Sequence, residues 1–339
     1  MISTRSRAQN PEDQGALRER PDSSPLQPGR PFGDKISAVP ARAFSTDSLA
    51  EVLDFTVHCA VAGMQVAFCT LVEIRGGSSR ALGAHMAVSE GGLYCGYVSG
   101  GCTEAAVAAE ALQAISKGCD RFILLGEGSP FFDIVLPCGG GITVAVHVLR
   151  DIRPIQNVLE DLGSRRNAGL SYNPLTQTLS FVSEKADTGW CKETFVTFYR
   201  PAVRVLLSGR MLEVEIAAKV ARAAGYEVLE YDAAAGQRPD NSLIDPDTAI
   251  ALLQHDLDLE MPILEVALRG KPFYFGALGS SRTHEKRMQR LREQGYSQEA
   301  IDRIKAPIGL FGRARDAHSL ALSVIAEIAA CRQAELMRT

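Results

Sequence analysis

The chain has 339 residues, a formal net charge of -4, and 46% apolar, 22% charged and 6% aromatic residues. That length suits about two domains, each with a core of its own. The slightly acidic balance argues against a general binder of nucleic acid, and no apolar run is long enough to cross a membrane as a helix.

Residues 1–44 read as a disordered leader. Six of the sixteen prolines fall there, among charges of both signs and with no hydrophobic period. The start, Met1-Ile2-Ser3-Thr4-Arg5, lacks the apolar stretch of a secretory signal, so a cytoplasmic location is expected. Cysteines stand at 59, 69, 95, 102, 119, 138, 191 and 331 without a Cys-x-x-Cys or a zinc-like Cys/His pattern. They are expected to be reduced, most of them acting as small core residues.

Order is expected from Ser45-Thr46-Asp47, a group of helix N-cap candidates, followed by apolar residues at helical spacing up to Gly63. Residues 65–74 read as a strand. Residues 85–89 and 93–98 read as a hairpin around Glu90-Gly91-Gly92. An Ala-rich helix is predicted over 103–117, then strands at 121–125 and 142–148. Residues 151–200 read as a connecting segment with one helix and two weak strands.

The pattern changes at Val203. Strands at 203–207, 227–231, 249–253 and 271–275 alternate with helices at 211–224, 258–269, 281–294, 297–304 and 317–335. Alternation of this kind implies a parallel sheet covered on both faces, a Rossmann-like arrangement. The expected division is therefore a leader (1–44), a mixed α/β domain (45–150), a connection (151–200) and a Rossmann-like domain (201–335).

Residues 76–101 hold eight of the thirty glycines. Such density marks backbone that turns sharply or lies against something. Ser78, Ser79 and Arg80 end a strand, where hydroxyls and a guanidinium suit an anion. Ser99-Gly100-Gly101-Cys102 is expected to open a helix directly, with free amides and a thiol favoured as thiolate. Pro137-Cys138-Gly139-Gly140-Gly141 forms a second knot before a strand. Glu104 is explained by the helix dipole alone. Two thiols, an arginine and hydroxyls on glycine turns suit a ligand that combines phosphate, sulfur and a transition metal.

Gly77-Ser78-Ser79-Arg80-Ala81-Leu82-Gly83-Ala84-His85-Met86, Val98-Ser99-Gly100-Gly101-Cys102-Thr103-Glu104 and Cys138-Gly139-Gly140-Gly141-Ile142 resemble the motifs of the XdhC/CoxI family. The likeness continues at Tyr274–Thr283, Ile304–Leu310 and Ser323–Ile328, and spans about 47–335 in the family's order. It implies an accessory protein that binds molybdenum cofactor and delivers it, in sulfurated form, to the large subunit of an apo molybdenum hydroxylase such as a xanthine dehydrogenase. No Ser–His–Asp or paired-carboxylate pattern is discernible, so carriage rather than turnover is expected, with a cysteine desulfurase as a further partner and a homodimer as further expectations. Carried over by motif, Arg80, Ser99, Gly100, Gly101, Cys102, Glu104, Cys138, Gly139 and Gly140 would bind the cofactor, with Ser78 beside them and Cys102 and Cys138 as metal ligands. Which thiol touches the metal stays open. Three departures stand out: Ser79 where proline is common, Pro137 where a glycine is frequent, and Phe311 where a carboxylate is usual.

A dinucleotide site would need G-x-G-x-x-G after the first strand of the second half. Those positions hold Gly209, Met211 and Val214, so NAD(P) is not expected, although Asp232 lies where a ribose-binding acid belongs. The alternative reading is nonetheless an NAD(P)-dependent oxidoreductase. Ser280 and Arg282 open a later helix and are read as a second wall of the cofactor cleft. Arg287, Arg290, Arg292, Arg303, Lys305, Arg313 and Arg315 make 282–315 basic and read as a solvated helical face.

Overall fold

The computed structural model describes residues 38–127, 139–184, 186–209, 211–235, 240–312 and 314–336. Its first sheet is built from β1 (Ala41–Arg42), β2 (Val66–Arg75), β3 (His85–Ser89), β4 (Leu93–Gly96), β5 (Arg121–Gly126) and β6 (Gly141–Val148), with helices α1 (Leu49–Val61) and α2 (Glu104–Lys117). The strand order is β1-β4-β3-β2-β6-β5. Part of the expected leader thus joins the fold, since Ala41 and Arg42 pair in parallel with Leu93 and Tyr94. The rest of that leader, residues 1–37, lies outside the described residues.

The period of two along β2 explains why this sheet has helices or strands on both faces. Ala67, Cys69 and Leu71 point into one core, shared with the small, closely packing face of α2 (Val107, Ala108, Ala111). Val66 and Phe68 point the other way, into a core shared with α1.

That second core also takes α3 (Arg153–Gly163) and a four-stranded antiparallel sheet of β7 (Ala168–Asn173), β8 (Thr178–Val182), β9 (Gly189–Cys191) and β10 (Thr194–Tyr199), ordered β8-β7-β10-β9. The segment read as a connection with two weak strands therefore holds a sheet of its own. Its signal is diluted because β8 and β9 are short and partly exposed, so no clean apolar alternation marks them.

Two buried polar clusters lock this sheet to the first. The Asp120 carboxylate accepts from Arg150, from the Val148 amide and from the Tyr172 hydroxyl on β7, and lies 2.7 Å from His147 Nδ1. Although burial opposes the charge, the bonds from His147, Arg150 and Val148 bring its pKa down to about 2. His85 on β3 bridges Thr70 Oγ1 (3.1 Å) and the Tyr199 hydroxyl on β10 (2.6 Å). Burial lowers its pKa to about 3, so the folded protein holds it neutral.

The linkage has a definite sign. Above pH ~6.5 His85 is neutral in folded and unfolded chains alike. Below it, only the unfolded chain takes up the proton. Stability is expected to fall between pH ~6.5 and 3, by up to about 1.4 kcal/mol per pH unit from this group alone. Urea melts at pH 7, 6 and 5 should show that loss, and His85→Gln should flatten the slope. An equal slope in both proteins would refute the assignment.

The remaining strands are β11 (Arg204–Gly209), β12 (Glu227–Tyr231), β13 (Thr248–Leu253) and β14 (Tyr274–Ala277), with helices α4 (Met211–Ala223), α5 (Leu257–Arg269), α6 (Ser281–Glu293), α7 (Gln298–Asp302) and α8 (Ala317–Leu336). All pairings in this sheet are parallel and its order is β12-β11-β13-β14. Successive residues of β11 again divide. Val205 and Leu207 pack with α4 and α8, and Leu206 packs with α5 on the other face. This is the Rossmann-like arrangement expected from alternating elements. No described helix is long and apolar enough to cross a membrane.

One charge assignment is corrected. Arg287, read as part of a solvated face, is fully buried and donates to both oxygens of the equally buried Glu260 and to the Leu278 carbonyl. Composition marked it as surface because arginine is rarely buried. A paired carboxylate on the preceding helix, α5, is what makes burial tolerable.

Candidate functional site

Three glycine-rich turns of the first sheet meet at one end of it. The first, residues 76–80, leaves β2. The second, residues 97–103, joins β4 to α2. The third, Gly139-Gly140, enters β6. A β-carbon on Gly140 would lie 2.5 Å from the Arg75 carbonyl oxygen and 2.6 Å from that of Gly77, so only glycine lets the third turn lie on the first. On the other side, the α-carbon of Gly100 faces the Ser79 hydroxyl closely enough that a β-carbon there would sit 3.1 Å from it. The first turn is therefore in close contact with both of the others.

Arg80 fastens the first turn to the second. Its Nε donates to the Ser99 carbonyl (3.4 Å), its guanidinium lies 5.2 Å from the centre of the Tyr97 ring, and its Nη1 donates to Asp47 (3.0 Å). Asp47 was a candidate helix cap by type. Ser48 takes that role instead, accepting from the Glu51 amide, and Asp47 is left to the arginine. The Arg80 amide donates to Ser78 Oγ (3.2 Å), which tightens the turn.

Glu104 does more than complement a helix dipole. It is fully buried beneath the second turn. Its Oε1 accepts from the amides of Val98 (3.2 Å) and Ser99 (2.8 Å), its Oε2 from the amide of Thr103 (3.2 Å), and the Ser99 hydroxyl donates to the carboxylate at 2.9–3.0 Å. Thr103 Oγ1 donates in turn to Ser99 Oγ (2.9 Å). The helix begins at Glu104, with Thr103 in the cap position, rather than directly after Cys102. This corrects the expected supply of helix-terminal amides, because Glu104 consumes those of Val98, Ser99 and Thr103. Among the described residues, the amides of Gly100, Gly101 and Cys102 have no partner, and all three residues are exposed.

Cys102 is exposed at the tip of this turn, with its Sγ 3.8 Å from Ser99 Oγ. The contrast with the core cysteines is sharp. Cys59, Cys69 and Cys95 are buried, and burial pushes the Cys69 and Cys95 thiols up to about 12. Cys119 and Cys191 are also exposed, against the expectation that most cysteines are core residues.

Of the residues singled out by sequence, the fold brings Ser78, Arg80, Ser99, Gly100, Gly101, Cys102, Glu104, Gly139 and Gly140 to these adjoining turns. Ser99 and Glu104 lie beneath the surface and hold the turn, and the exposed residues form its face. Cys138, the second expected metal ligand, lies outside the described residues. Ser280 caps α6 by accepting from the Thr283 amide, and Arg282 is exposed on the same helix. Among the described residues, no hydrogen bond or ion pair joins either one to the three turns. Tyr97 and Asp47 were missed. The only signal for Tyr97 was its place next to the motif.

The comparisons with known proteins fit this arrangement. Residues 59–125 match the XdhC and CoxI family, and residues 205–328 match the XdhC Rossmann domain. The chain is 50% identical over 293 residues to the molybdenum cofactor insertion chaperone PaoD of Escherichia coli (strain K12), covering 86% of this chain and 92% of that protein. The chain belongs to the XdhC/CoxI family. A solved structure described as a xanthine dehydrogenase from Bacillus halodurans shares the fold, with a TM-score of 0.66 at 20% identity, covering 83% of this chain and 96% of that one. The first and second turns fall inside the XdhC/CoxI match and the third lies beyond it, so the third turn is tied to the other two by its packing on Gly77.

Proposed function

We propose that this XdhC/CoxI protein binds molybdenum cofactor at the three-turn face and delivers it, in sulfurated form, to the large subunit of an apo molybdenum hydroxylase. The observation that carries this reading is the second turn: an exposed thiol and three amides without a partner among the described residues, on a loop held from below by a buried carboxylate. The name of the Escherichia coli relative supports it.

The donor set fits the group. Amides and the Arg80 guanidinium suit its phosphate, and a thiol suits its metal or sulfur. The bound cofactor supplies the redox centre of the client. This chain supplies binding and orientation. Arg80 is positioned by Tyr97 and Ser99 and balanced by an exposed carboxylate, Asp47, which an incoming anion can replace. Glu104 keeps the turn open by occupying the amides that would otherwise collapse onto it.

In this reading residues 45–150 carry the site, 201–335 form a second body, and Ser280, Arg282 and Cys138 contact the cargo. The protein works in the cytoplasm as a carrier and not by turnover, with a cysteine desulfurase as sulfur source and as a homodimer. NAD(P) enters no step. The test is direct: full-length protein purified from cells that co-express cofactor synthesis is expected to carry molybdenum and pterin, measured by metal analysis and by fluorescence of the oxidised pterin. Protein free of both would overturn the reading.

A further inference from the structure

A second site lies in the parallel sheet, at the carboxyl ends of its strands. From β11 the chain runs to β12 on one side and then to β13 on the other, so the strand order reverses between β11 and β13. Open α/β sheets form a crevice at that point. Here a cleft of about 1140 Å³ occupies it. Val214 and Leu257 give it apolar surface, and Asp232 and Gln254 stand at the ends of β12 and β13.

Gln254 is the telling residue. It is 6% exposed, it lines the cleft, and among the described residues its Nε2 has no hydrogen-bond partner. A buried amide donor without a partner is costly, and a ligand that accepts from it removes the cost. Asp232 is exposed, lines the cleft, and uses Oδ1 to accept from the Ala234 and Ala235 amides, so that among the described residues Oδ2 remains available for a hydroxyl.

Among the described residues, the phosphate-binding half of a dinucleotide site is missing. Gly209 is required because a β-carbon there would strike the Leu253 backbone, so packing between strands, and not a ligand, accounts for it. Val214 fills the third fingerprint position. The rim is acidic: Arg290, the one guanidinium among the described lining residues, is already paired with Asp258. The described lining residues disfavour a pyrophosphate yet retain a carboxylate for a diol, an amide for a base edge and apolar walls for a ring.

We propose that this cleft is a ribonucleoside site, in which Asp232 takes the ribose diol and Gln254 the edge of the base. It is independent of the three-turn face. The test uses the full-length chain without cofactor, with adenosine, cytidine, 2′,3′-dideoxyadenosine and NADH followed by calorimetry and thermal shift. At least one ribonucleoside is expected to bind saturably in the micromolar to millimolar range. Loss of the diol, or Asp232→Asn, which keeps the turn acceptor, should weaken it by roughly tenfold or more. Gln254→Leu should do the same. Three results would overturn the proposal: no ribonucleoside binding, equal binding of the dideoxy compound, or NADH binding more tightly than adenosine.

Discussion

Cys102→Ala is expected to abolish activation of the client hydroxylase while leaving the carrier folded. The thiol is exposed and makes one weak contact, to Ser99 Oγ at 3.8 Å, so its removal should change stability by no more than about 0.5 kcal/mol. Its loss removes the only soft ligand that the described part of the face presents, while the amides of Gly100, Gly101 and the residue itself remain. Complementation of a deletion strain with wild type, Cys102→Ala and Arg80→Ala, read as client activity together with pterin content of the purified carrier, separates the roles. Cys102→Ala is expected to retain part of the pterin and lose client activation. Arg80→Ala is expected to lose pterin, since the guanidinium is the one cation among the described turn residues that reaches across two turns. Full client activity with Cys102→Ala would remove the thiol from the mechanism.

Glu104→Ala is expected to be the most destabilising single change at the site. The side chain is fully buried and receives three amides and a hydroxyl. Truncation leaves those donors in a space without water, and each unsatisfied buried donor costs about 1–3 kcal/mol, so a total loss of about 3 kcal/mol or more is expected. Glu104→Gln tests the cause. Its amide oxygen can still receive Val98 and Ser99, but its nitrogen would face the Thr103 amide donor, so a loss of about half that size is expected. Urea denaturation of the three proteins at neutral pH measures both. A cost below about 1 kcal/mol for the alanine variant would show that the turn is held by something else.

Much of the chain's organisation is legible without coordinates, for reasons visible in particular segments. The apolar run at 66–75 and the Ala-rich stretch before Gly118 announce strand and helix through side-chain period and a glycine helix stop. The alternation after Val203 announces a parallel sheet because strands joined by helices have little other way to cover both faces. The short strands at 178–182 and 189–191 were illegible. They are stabilised by pairing with β7 and β10, which is a tertiary fact. Arg287 was misread for a related reason: its partner Glu260 is distant in sequence and close only in space.

By itself, the sequence determined the element order, the family motifs and the residue types at the site: thiol, guanidinium, hydroxyls and glycines, each at a turn. Tertiary structure alone decided which of them face outward. It laid Gly140 on Gly77 and Gly100 on Ser79, buried Glu104 beneath the second turn, and left Cys102 on top. The physical reason is that a motif specifies local backbone freedom and side-chain chemistry, whereas exposure and hydrogen-bond satisfaction depend on what long-range packing brings alongside.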